Sequence, residues 1–281
     1  MPSAWKSLLD KFLFFSSTSP SSSSAEMSST IHQVFHCALR TFAPAKDPIE
    51  FQRLVKLVKT LRAEDLNFHQ TFYETFYETT RVTGGYVDLV HTDQLSMGVF
   101  SVKPNGIIPL HDHQSMHGLI KVLSGALEVQ SYTPIAHRFS SPFSSCSSSL
   151  TTSLKPSDSV LQKLPHGHNA SKLVCVLVHE PRVLTPNADS EVAILTPNER
   201  NLHQIRSIDL GNSATNSSRG AAFLDILSPP YHSERDCHYF RLLETQFDDR
   251  LDSDVAWLLP LDQAPADFST ISLPYQGPTL L

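Results

Sequence analysis

The segment Gly106-Ile-Ile-Pro-Leu-His-Asp-His-Gln-Ser-Met-His-Gly118 runs from one β-rich stretch of the chain into the next. Within it, His111 and His113 are two positions apart. Residues i and i+2 of a β-strand face the same side of a sheet. Both imidazoles can therefore point into a barrel and reach one ion, whereas Asp112 between them would face away.

Short β-rich runs continue on both sides of this segment, at 86–90, 95–102, 118–123 and 127–132. Turns containing glycine or Pro-Asn-Gly separate them, as expected between antiparallel strands. Further short strands are predicted at 191–196, 201–208, 221–228, 237–243 and 256–259. This pattern indicates a mainly β protein with a jelly-roll-like antiparallel barrel of the cupin type. The apolar run 173–178 could be another strand, whose place in the sheets the sequence leaves open.

Helices are predicted before the first strand. Asp47 can cap a helix that starts at Pro48, and Glu50 can reach back as in a capping box. Apolar residues then recur at spacings of three and four, which predicts a helical hairpin over 31–62.

The chain is expected to form one folded domain over 31–281, with N-terminal α-helices in a helical element at 31–80. The Ser-rich residues 1–30 are predicted to be a disordered tail. The β pattern lapses into Ser-rich and Pro/His-rich sequence at about 138–189, which indicates a long insertion.

The composition excludes several classes of partner. The 281 residues are 40% hydrophobic and 18% charged, which is typical of a folded chain. The net charge of −6 provides no basic surface for nucleic acid or anionic lipid. No apolar run reaches the roughly 18 residues that a membrane helix needs. We therefore expect a soluble monomer that binds small molecules or proteins, with no nucleic acid and no membrane partner.

The four cysteines lie far apart and form no C-x-x-C pair, which speaks against a disulfide scaffold or a structural zinc site. They favour a reducing compartment, and the cytoplasm is the expected location. The apolar stripe from Trp5 to Phe15, which carries Lys6 and Lys11, leaves mitochondrial targeting as an alternative.

A general cupin metal site combines a glycine before the H-x-H pair, a glutamate three or four residues after it, a second glycine and a late histidine. Gly106, Gly125 and His203 fill three of these places. The glutamate position holds His117 or Gly118, so the carboxylate ligand is missing. Three neutral imidazoles could hold Fe(II), which can bind a thiolate and dioxygen together. They could equally hold zinc with an activated water, and the ligand types alone do not decide.

Several motifs along the chain can be compared with known families. They are IPLHDH at 108–113, MHG at 116–118, KVL at 121–123, NLHQ at 201–204, AFLDILSPPY at 222–231 and DCHYFR at 236–241. Together they resemble the cysteamine (2-aminoethanethiol) dioxygenase family, which includes the plant cysteine oxidases. The similarity spans 31–281 apart from the insertion, and several ordered motifs are far more specific than H-x-H alone.

The resemblance implies a non-haem Fe(II) oxidoreductase that adds both atoms of O2 to a thiol, with the metal on His111, His113 and His203. Its substrates would be cysteamine, which gives hypotaurine, and proteins with an N-terminal cysteine. Oxidation of that cysteine to the sulfinate links oxygen level to degradation through the N-degron route. An insertion folded over the barrel mouth would restrict protein substrates and leave cysteamine unaffected.

The resemblance also implies roles for four further residues. Asp225 matches a family acid and would attract the ammonium that both substrates carry two carbons from the sulfur, and the Tyr231 hydroxyl would orient substrate or oxygen. Cys237 and Tyr239 match a pair that forms a thioether in the animal enzyme, and their spacing puts both on one side of a strand. A buried cysteine beside a half-buried tyrosine is the alternative for this pair. Gln114 replaces a family proline without affecting the metal site.

Two other functions stay open: a zinc or manganese cupin acting as hydrolase or isomerase, and a non-catalytic cupin binding module. His166 and His168 form a second H-x-H pair in a predicted loop, where no metal role is expected. His117 is expected beside the metal ligands rather than on the ion, and His238 on the face opposite to its neighbours. The aromatic run 72–78 is expected to pack between helix and barrel.

Overall fold

The computed structural model describes residues 29–43, 48–69, 82–135, 154–187, 191–211 and 220–281. Almost all of the predicted Ser-rich tail, the Asp47 cap and the aromatic run 72–78 lie outside these ranges, so they stay predictions. Within the described ranges, no helix is long and apolar enough to cross a membrane.

In the part of the chain that the structure describes, two helices precede the strands: α1 over Thr30–Thr41 and α2 over Pro48–Thr60, followed by a 3-10 turn over Ala63–Leu66. The predicted start of α2 at Pro48 is confirmed. Leu54 of α2 and Phe35 of α1 belong to one buried cluster with Leu224 from a central strand. The helices therefore cover the outer face of a sheet.

The described residues form thirteen strands. These are β1 Gly84–His91, β2 Ser96–Val102, β3 Ile107–Asp112, β4 His117–Ser124, β5 Ala126–Pro134, β6 Val174–Val178, β7 Arg182–Leu184, β8 Ala193–Leu195, β9 Leu202–Ile208, β10 Ala221–Ser228, β11 Tyr239–Asp248, β12 Ser253–Leu261 and β13 Thr270–Leu273. A short helix, α3 over Asp158–Gln162, lies between β5 and β6.

The strands form two sheets, in the orders β13-β1-β2-β10-β4-β8 and β6-β12-β11-β3-β9-β5-β7. Their pairings are antiparallel except for the parallel pair of β1 and β13. The main barrel core lies between the sheets, with Phe100 and Phe223 from the first and Ile108 and Ile205 from the second. The predicted mainly β, cupin-like antiparallel barrel with N-terminal helices is confirmed.

A second interior lies behind the wall formed by β3, β9 and β5. Strand β5 also pairs with β6, which closes β3, β9, β5, β6, β12 and β11 into a smaller barrel. Leu110 and Leu202 from the shared wall belong to its buried cluster with Val176, Ala256 and Leu258. The apolar run at 173–178 thus becomes β6, the strand that closes the smaller barrel.

The described part of the predicted insertion, residues 154–187, packs against this smaller barrel. Leu154 contacts a buried cluster that contains Leu177 of β6 and Val255 of β12. Ser159 Oγ and Lys163 Nζ lie 2.6 and 2.7 Å from the carboxylate of Glu244 on β11. This segment therefore contributes β6 and β7 to the second sheet, and its residues before β6 pack on the outside of the smaller barrel.

Candidate metal centre

Three buried histidines meet inside the main barrel. His111 of β3 and His203 of β9 are directly opposite each other, and the His113 backbone N–H extends the ladder by donating to the Asn201 carbonyl at 2.8 Å. One ring nitrogen from each of the three histidines lies within 4.8 Å of those of the other two. His113 Nε2 and His203 Nε2 are 3.2 Å apart. Two nitrogen ligands about 2.0–2.1 Å from one ion lie roughly 3.0–3.4 Å apart, so this spacing fits a shared metal.

A β-bulge in β3 turns His111 towards the barrel interior. Ile108 pairs with Ile205 and His111 with His203, so the register of the two strands shifts by one residue between these pairs. Without the extra residue, Leu110 would face the interior and His111 would not. Pro109 lies in the bulge, where a residue without an N–H breaks no ladder hydrogen bond.

Hydrogen bonds fix which nitrogen carries the proton on two of the three rings. His111 Nδ1 lies 2.7 Å from the Pro109 carbonyl oxygen, which only accepts, so His111 Nδ1–H donates. The Tyr231 hydroxyl donates to the Asp112 carbonyl at 2.6 Å, and it therefore accepts from His113 Nδ1–H at 2.8 Å. The Nε2 atoms of both rings keep their lone pairs and face the centre of the group. This is the form in which histidine binds metals.

Burial keeps the three imidazoles neutral. Desolvation is the largest cause that lowers the pKa of His111, and the bond to Pro109 opposes it only in part. Desolvation also lowers the pKa values of His113 and His203 well below the usual value, and the neighbouring imidazoles lower them further. A metal ion would therefore enter without first displacing protons from the rings.

No carboxylate occupies the glutamate position of the cupin pattern. A Cβ placed on Gly118 would lie 2.7 Å from Leu195 Cγ, so a longer side chain there would displace Leu195. His117 packs instead near the rings of Phe42 and Phe51, with centroids 6.1 and 6.3 Å away. The prediction that His117 lies beside the metal ligands is therefore wrong. Its side chain faces the helices, because successive residues of a strand alternate between faces.

Cys237 and Tyr239 lie next to the histidines. Tyr239 is the cross-strand neighbour of His111, with ring centroids 6.3 Å apart. The Cys237 thiol forms side-chain hydrogen bonds with the hydroxyls of Tyr231 and Tyr239. Burial, with a smaller contribution from the charge of Asp112, raises the pKa of Cys237, so the thiol stays protonated. Cys237 and Tyr239 are thus in contact, and the thioether between them stays a prediction.

Asp225 projects into the main barrel from β10, between Gly98 of β2 and Ile120 of β4. Its Oδ1 is buried and has no hydrogen-bond partner among the described residues. Burial raises its pKa to about 7. The ring of Tyr86 lies across Gly98, since a Cβ placed there would be 2.3 Å from the Tyr86 hydroxyl. Tyr86 is not among the residues predicted from the sequence, where a glycine inside a strand is the only sign of it.

Asp112 faces away from the three imidazoles, as the alternation of a strand requires. Its Oδ1 accepts the His238 backbone N–H at 2.9 Å, and its Oδ2 lies 3.1 Å from both His238 Nδ1 and Gln114 Nε2. His238 thus lies on the far side of β3. Gln114 ties the turn after His113 to Asp112.

The other histidine pair does not join this group. His166 and His168 are exposed on a loop, and within the described residues the only group of three or more potential metal ligands is His111, His113 and His203. His179 Nε2 lies 2.7 Å from Thr133 Oγ1.

Comparison with known proteins gives a consistent result. The family described as PCO_ADO matches residues 57–280. The 2-aminoethanethiol dioxygenase of Homo sapiens is 34% identical over 254 residues, which cover 82% of this chain and 81% of that protein. The mouse protein of the same name, from Mus musculus, is 32% identical over 83% of this chain and 86% of its own length. Plant cysteine oxidase 1 of Arabidopsis thaliana is 26% identical over 89% of this chain and 77% of its own length.

Proposed function

The chain belongs to the PCO_ADO family of thiol dioxygenases, and we propose that it uses Fe(II) to add both atoms of O2 to the thiol of cysteamine or of a protein's N-terminal cysteine. The products would be hypotaurine and cysteine sulfinate. The observation that carries the proposal is the convergence of three buried, neutral imidazoles in a chain of this family.

The proposed metal ligands are His111, His113 and His203. When bound there, Fe(II) would supply the capacity to bind both a thiolate and O2, and it would promote loss of the thiol proton. The protein's own part is to hold three nitrogen donors in place, through the bulge at Pro109 and the hydrogen bond that the Tyr231 hydroxyl accepts from His113. The buried surroundings also exclude water from the reacting atoms.

Asp225 supports an aminothiol as the substrate. Its buried Oδ1 has no hydrogen-bond partner among the described residues, and burial raises its pKa to about 7, so a positive group beside it would favour the ionised form. A substrate ammonium would supply that charge and a charge-assisted hydrogen bond. We propose that Asp225 binds the amine that cysteamine and an N-terminal cysteine share, with the face of Tyr86 next to it.

The roles of the remaining predicted residues are proposed as follows. Tyr239 would line the space beside His111, and Cys237 would support it, as a thioether or as a hydrogen-bonded pair. The choice between cysteamine and a protein substrate would depend on the barrel mouth. Residues 138–153, 188 and 189 of the predicted insertion lie outside the described ranges. We propose that the protein is a monomer in the cytoplasm. The three described cysteines form no disulfide with one another, which is typical of a reducing compartment.

A direct experiment tests the proposal. Purified protein is loaded anaerobically with Fe(II), mixed with O2 and either cysteamine or a peptide that begins with cysteine, and the products are weighed by mass spectrometry. We expect each oxidised thiol to gain two oxygen atoms. His203→Ala should abolish the gain, and His166→Ala, a change in the exposed loop, should not affect it. Bound iron without oxygen addition to either thiol would refute the dioxygenase, and a fully active His203→Ala variant would refute the ligand set.

Zinc is the second candidate for the metal, because a catalytic zinc site also uses three protein ligands and an open position. A zinc or manganese hydrolase or isomerase would hold its metal after purification and consume no O2 with either thiol. A non-catalytic module would bind metal and turn over nothing. Metal analysis combined with an oxygen electrode separates these outcomes.

A further inference from the structure

We propose that Tyr231 is a positioning residue: its hydroxyl holds the His113 ring in the metal-binding orientation and links that ring to Cys237, rather than contacting the substrate. The inference rests on the metal site of the proposed function. It differs from the role in orienting substrate or oxygen that the family resemblance implies for this tyrosine.

The first step is the hydrogen-bond count at the Tyr231 hydroxyl. A tyrosine hydroxyl donates one hydrogen bond and can accept two. Its proton goes to the Asp112 carbonyl at 2.6 Å, and one lone pair accepts from His113 Nδ1–H at 2.8 Å. The Cys237 thiol makes a side-chain hydrogen bond with the same hydroxyl. The hydroxyl therefore has no donor left to offer a substrate or an oxygen species.

The second step is the rigidity of the partners. Asp112 is held from its other side, because its carboxylate accepts from the His238 backbone and lies 3.1 Å from Gln114 Nε2. The Asp112 N–H also donates to the His238 carbonyl at 3.1 Å. The carbonyl that receives the Tyr231 proton is thus fixed to the start of β11.

The third step is the anchoring of Tyr231 itself. It lies directly after Pro230, whose carbonyl accepts from Arg235 Nη1 at 3.1 Å. His232 and Arg235 exchange backbone hydrogen bonds at 3.1 and 2.9 Å, which close a short loop next to Tyr231. Groups that orient a metal-bound histidine in this way typically contribute roughly 10- to 100-fold to metal affinity or activity.

The Tyr231 hydroxyl also connects the metal site to Cys237. Cys237 is hydrogen-bonded to both Tyr231 and Tyr239, so a series of contacts runs from His113 through Tyr231 and Cys237 to Tyr239. A chemical change at Cys237 would alter its hydrogen bond with the Tyr231 hydroxyl. Through the Tyr231 hydroxyl, that change would affect the orientation of the His113 ring, although Cys237 is not a proposed ligand.

The test measures metal binding in the absence of thiol and O2, so that it is independent of turnover. Tyr231→Phe keeps the ring and removes the hydroxyl. We expect its affinity for Fe(II), or for Co(II) as a stable probe, to fall by roughly 10- to 100-fold. Tyr132→Phe is the matched control, because Tyr132 is buried on the other face of the same wall, in the smaller barrel. Its metal affinity should stay unchanged.

The outcome that would overturn the positioning role of Tyr231 differs from the one that would refute the proposed function. If Tyr231→Phe binds metal as tightly as the natural protein while the KM for cysteamine rises, Tyr231 contacts substrate and the proposal is overturned. If Tyr231→Phe loses metal affinity and the natural Fe(II)-loaded protein oxidises no thiol, the positioning role stands and the proposed function is refuted.

A measurement on the natural chain covers the case in which Tyr231→Phe does not fold. Nitrogen-15 NMR of the histidine rings in the metal-free protein reports which nitrogen carries the proton. The hydrogen bonds require the Nδ1–H tautomer for His113, as for His111. An Nε2–H tautomer at His113 would overturn the proposal.

Discussion

The wall formed by β3, β9 and β5 separates two interiors with opposite chemistry. Its face towards the main barrel carries His111 and His203, opposite each other across two strands. Its other face carries Leu110 and Leu202, which are buried in the smaller barrel. Each histidine is the sequence neighbour of one of these leucines. Residues that build the proposed metal site and residues that stabilise the fold therefore alternate along the same strands.

This comparison shows how the protein can bury three imidazoles without losing its core. The polar face has its own hydrogen-bond partners, from Pro109 and Tyr231, while the apolar face is covered by β6 and β12. The two faces should therefore respond separately to substitution, and neighbouring residues should give opposite phenotypes.

The largest effect is expected from His203→Ala. The variant should lose tightly bound metal and thiol oxidation by more than the roughly 100-fold that loss of an outer partner costs, because a proposed ligand is removed. The metal-free variant should still unfold cooperatively. Metal content after dialysis, turnover of cysteamine and thermal unfolding measure the three quantities. A variant that keeps its metal would show that the histidine-bearing face of the wall does not hold it.

The neighbouring change, Leu202→Ala, should have the reverse effect. Removing a buried leucine from a packed core typically lowers the free energy of unfolding by about 2–5 kcal/mol. Chemical denaturation of the metal-free protein measures this loss. The folded fraction should keep its metal affinity, since Leu202 faces the smaller barrel. An unchanged stability would mean that the smaller barrel is not a packed interior.

Asp225→Asn tests the other wall of the main barrel. Loss of a charge-assisted hydrogen bond, worth about 1.5–3 kcal/mol, should raise the KM for cysteamine by roughly 10- to 100-fold. A thiol without an amine should show no such change. Equal losses for both thiols would indicate a structural role for Asp225.

The raised pKa of Asp225 predicts that the KM for cysteamine depends on pH. The pKa of Asp225 is raised to about 7 in the unliganded protein, so the carboxyl is neutral at lower pH and attracts an ammonium only once it is ionised. The KM for cysteamine should therefore fall as the pH rises through about 7. Asp225→Asn should remove this component of the pH profile. A profile shared by both proteins would assign the dependence to another group.

The smallest effect is expected from His238→Ala. This half-exposed side chain lies 3.1 Å from Asp112 Oδ2, and such a contact contributes about 1 kcal/mol or less to stability. Metal affinity should fall less than in Tyr231→Phe, because Asp112 keeps its bond to the His238 backbone. A larger loss than in Tyr231→Phe would place the main support of the metal site on the outer side of β3.

Much of the arrangement could be predicted from local pattern. The spacing of His111 and His113 predicts a shared face, and the turn residues predict the strands on both sides. The helix start at Pro48 follows from the chemistry of the first turn. Each of these rests on residues close together in sequence, where the period of a strand or helix decides the outcome.

The features that the sequence could not reveal depend on register between distant strands. The bulge at Pro109 reverses the facing of His111 relative to Ile108, and alternation alone does not show it. His117 was placed on the wrong side, because the aromatic rings that surround it come from helices far away in sequence. Strand β6 could not be assigned, since its partners β5 and β12 are separated from it by long connections.

The most direct test of the central claim is an oxygen-18 experiment in which the Fe(II)-loaded protein is offered cysteamine and, separately, a peptide that begins with cysteine. The reactions are run in labelled O2 and ordinary water, and the products are analysed by mass spectrometry. The account predicts a sulfinate in which both added oxygens carry the label. Absence of added oxygen from both thiols, or a product whose oxygens come from water, would contradict it.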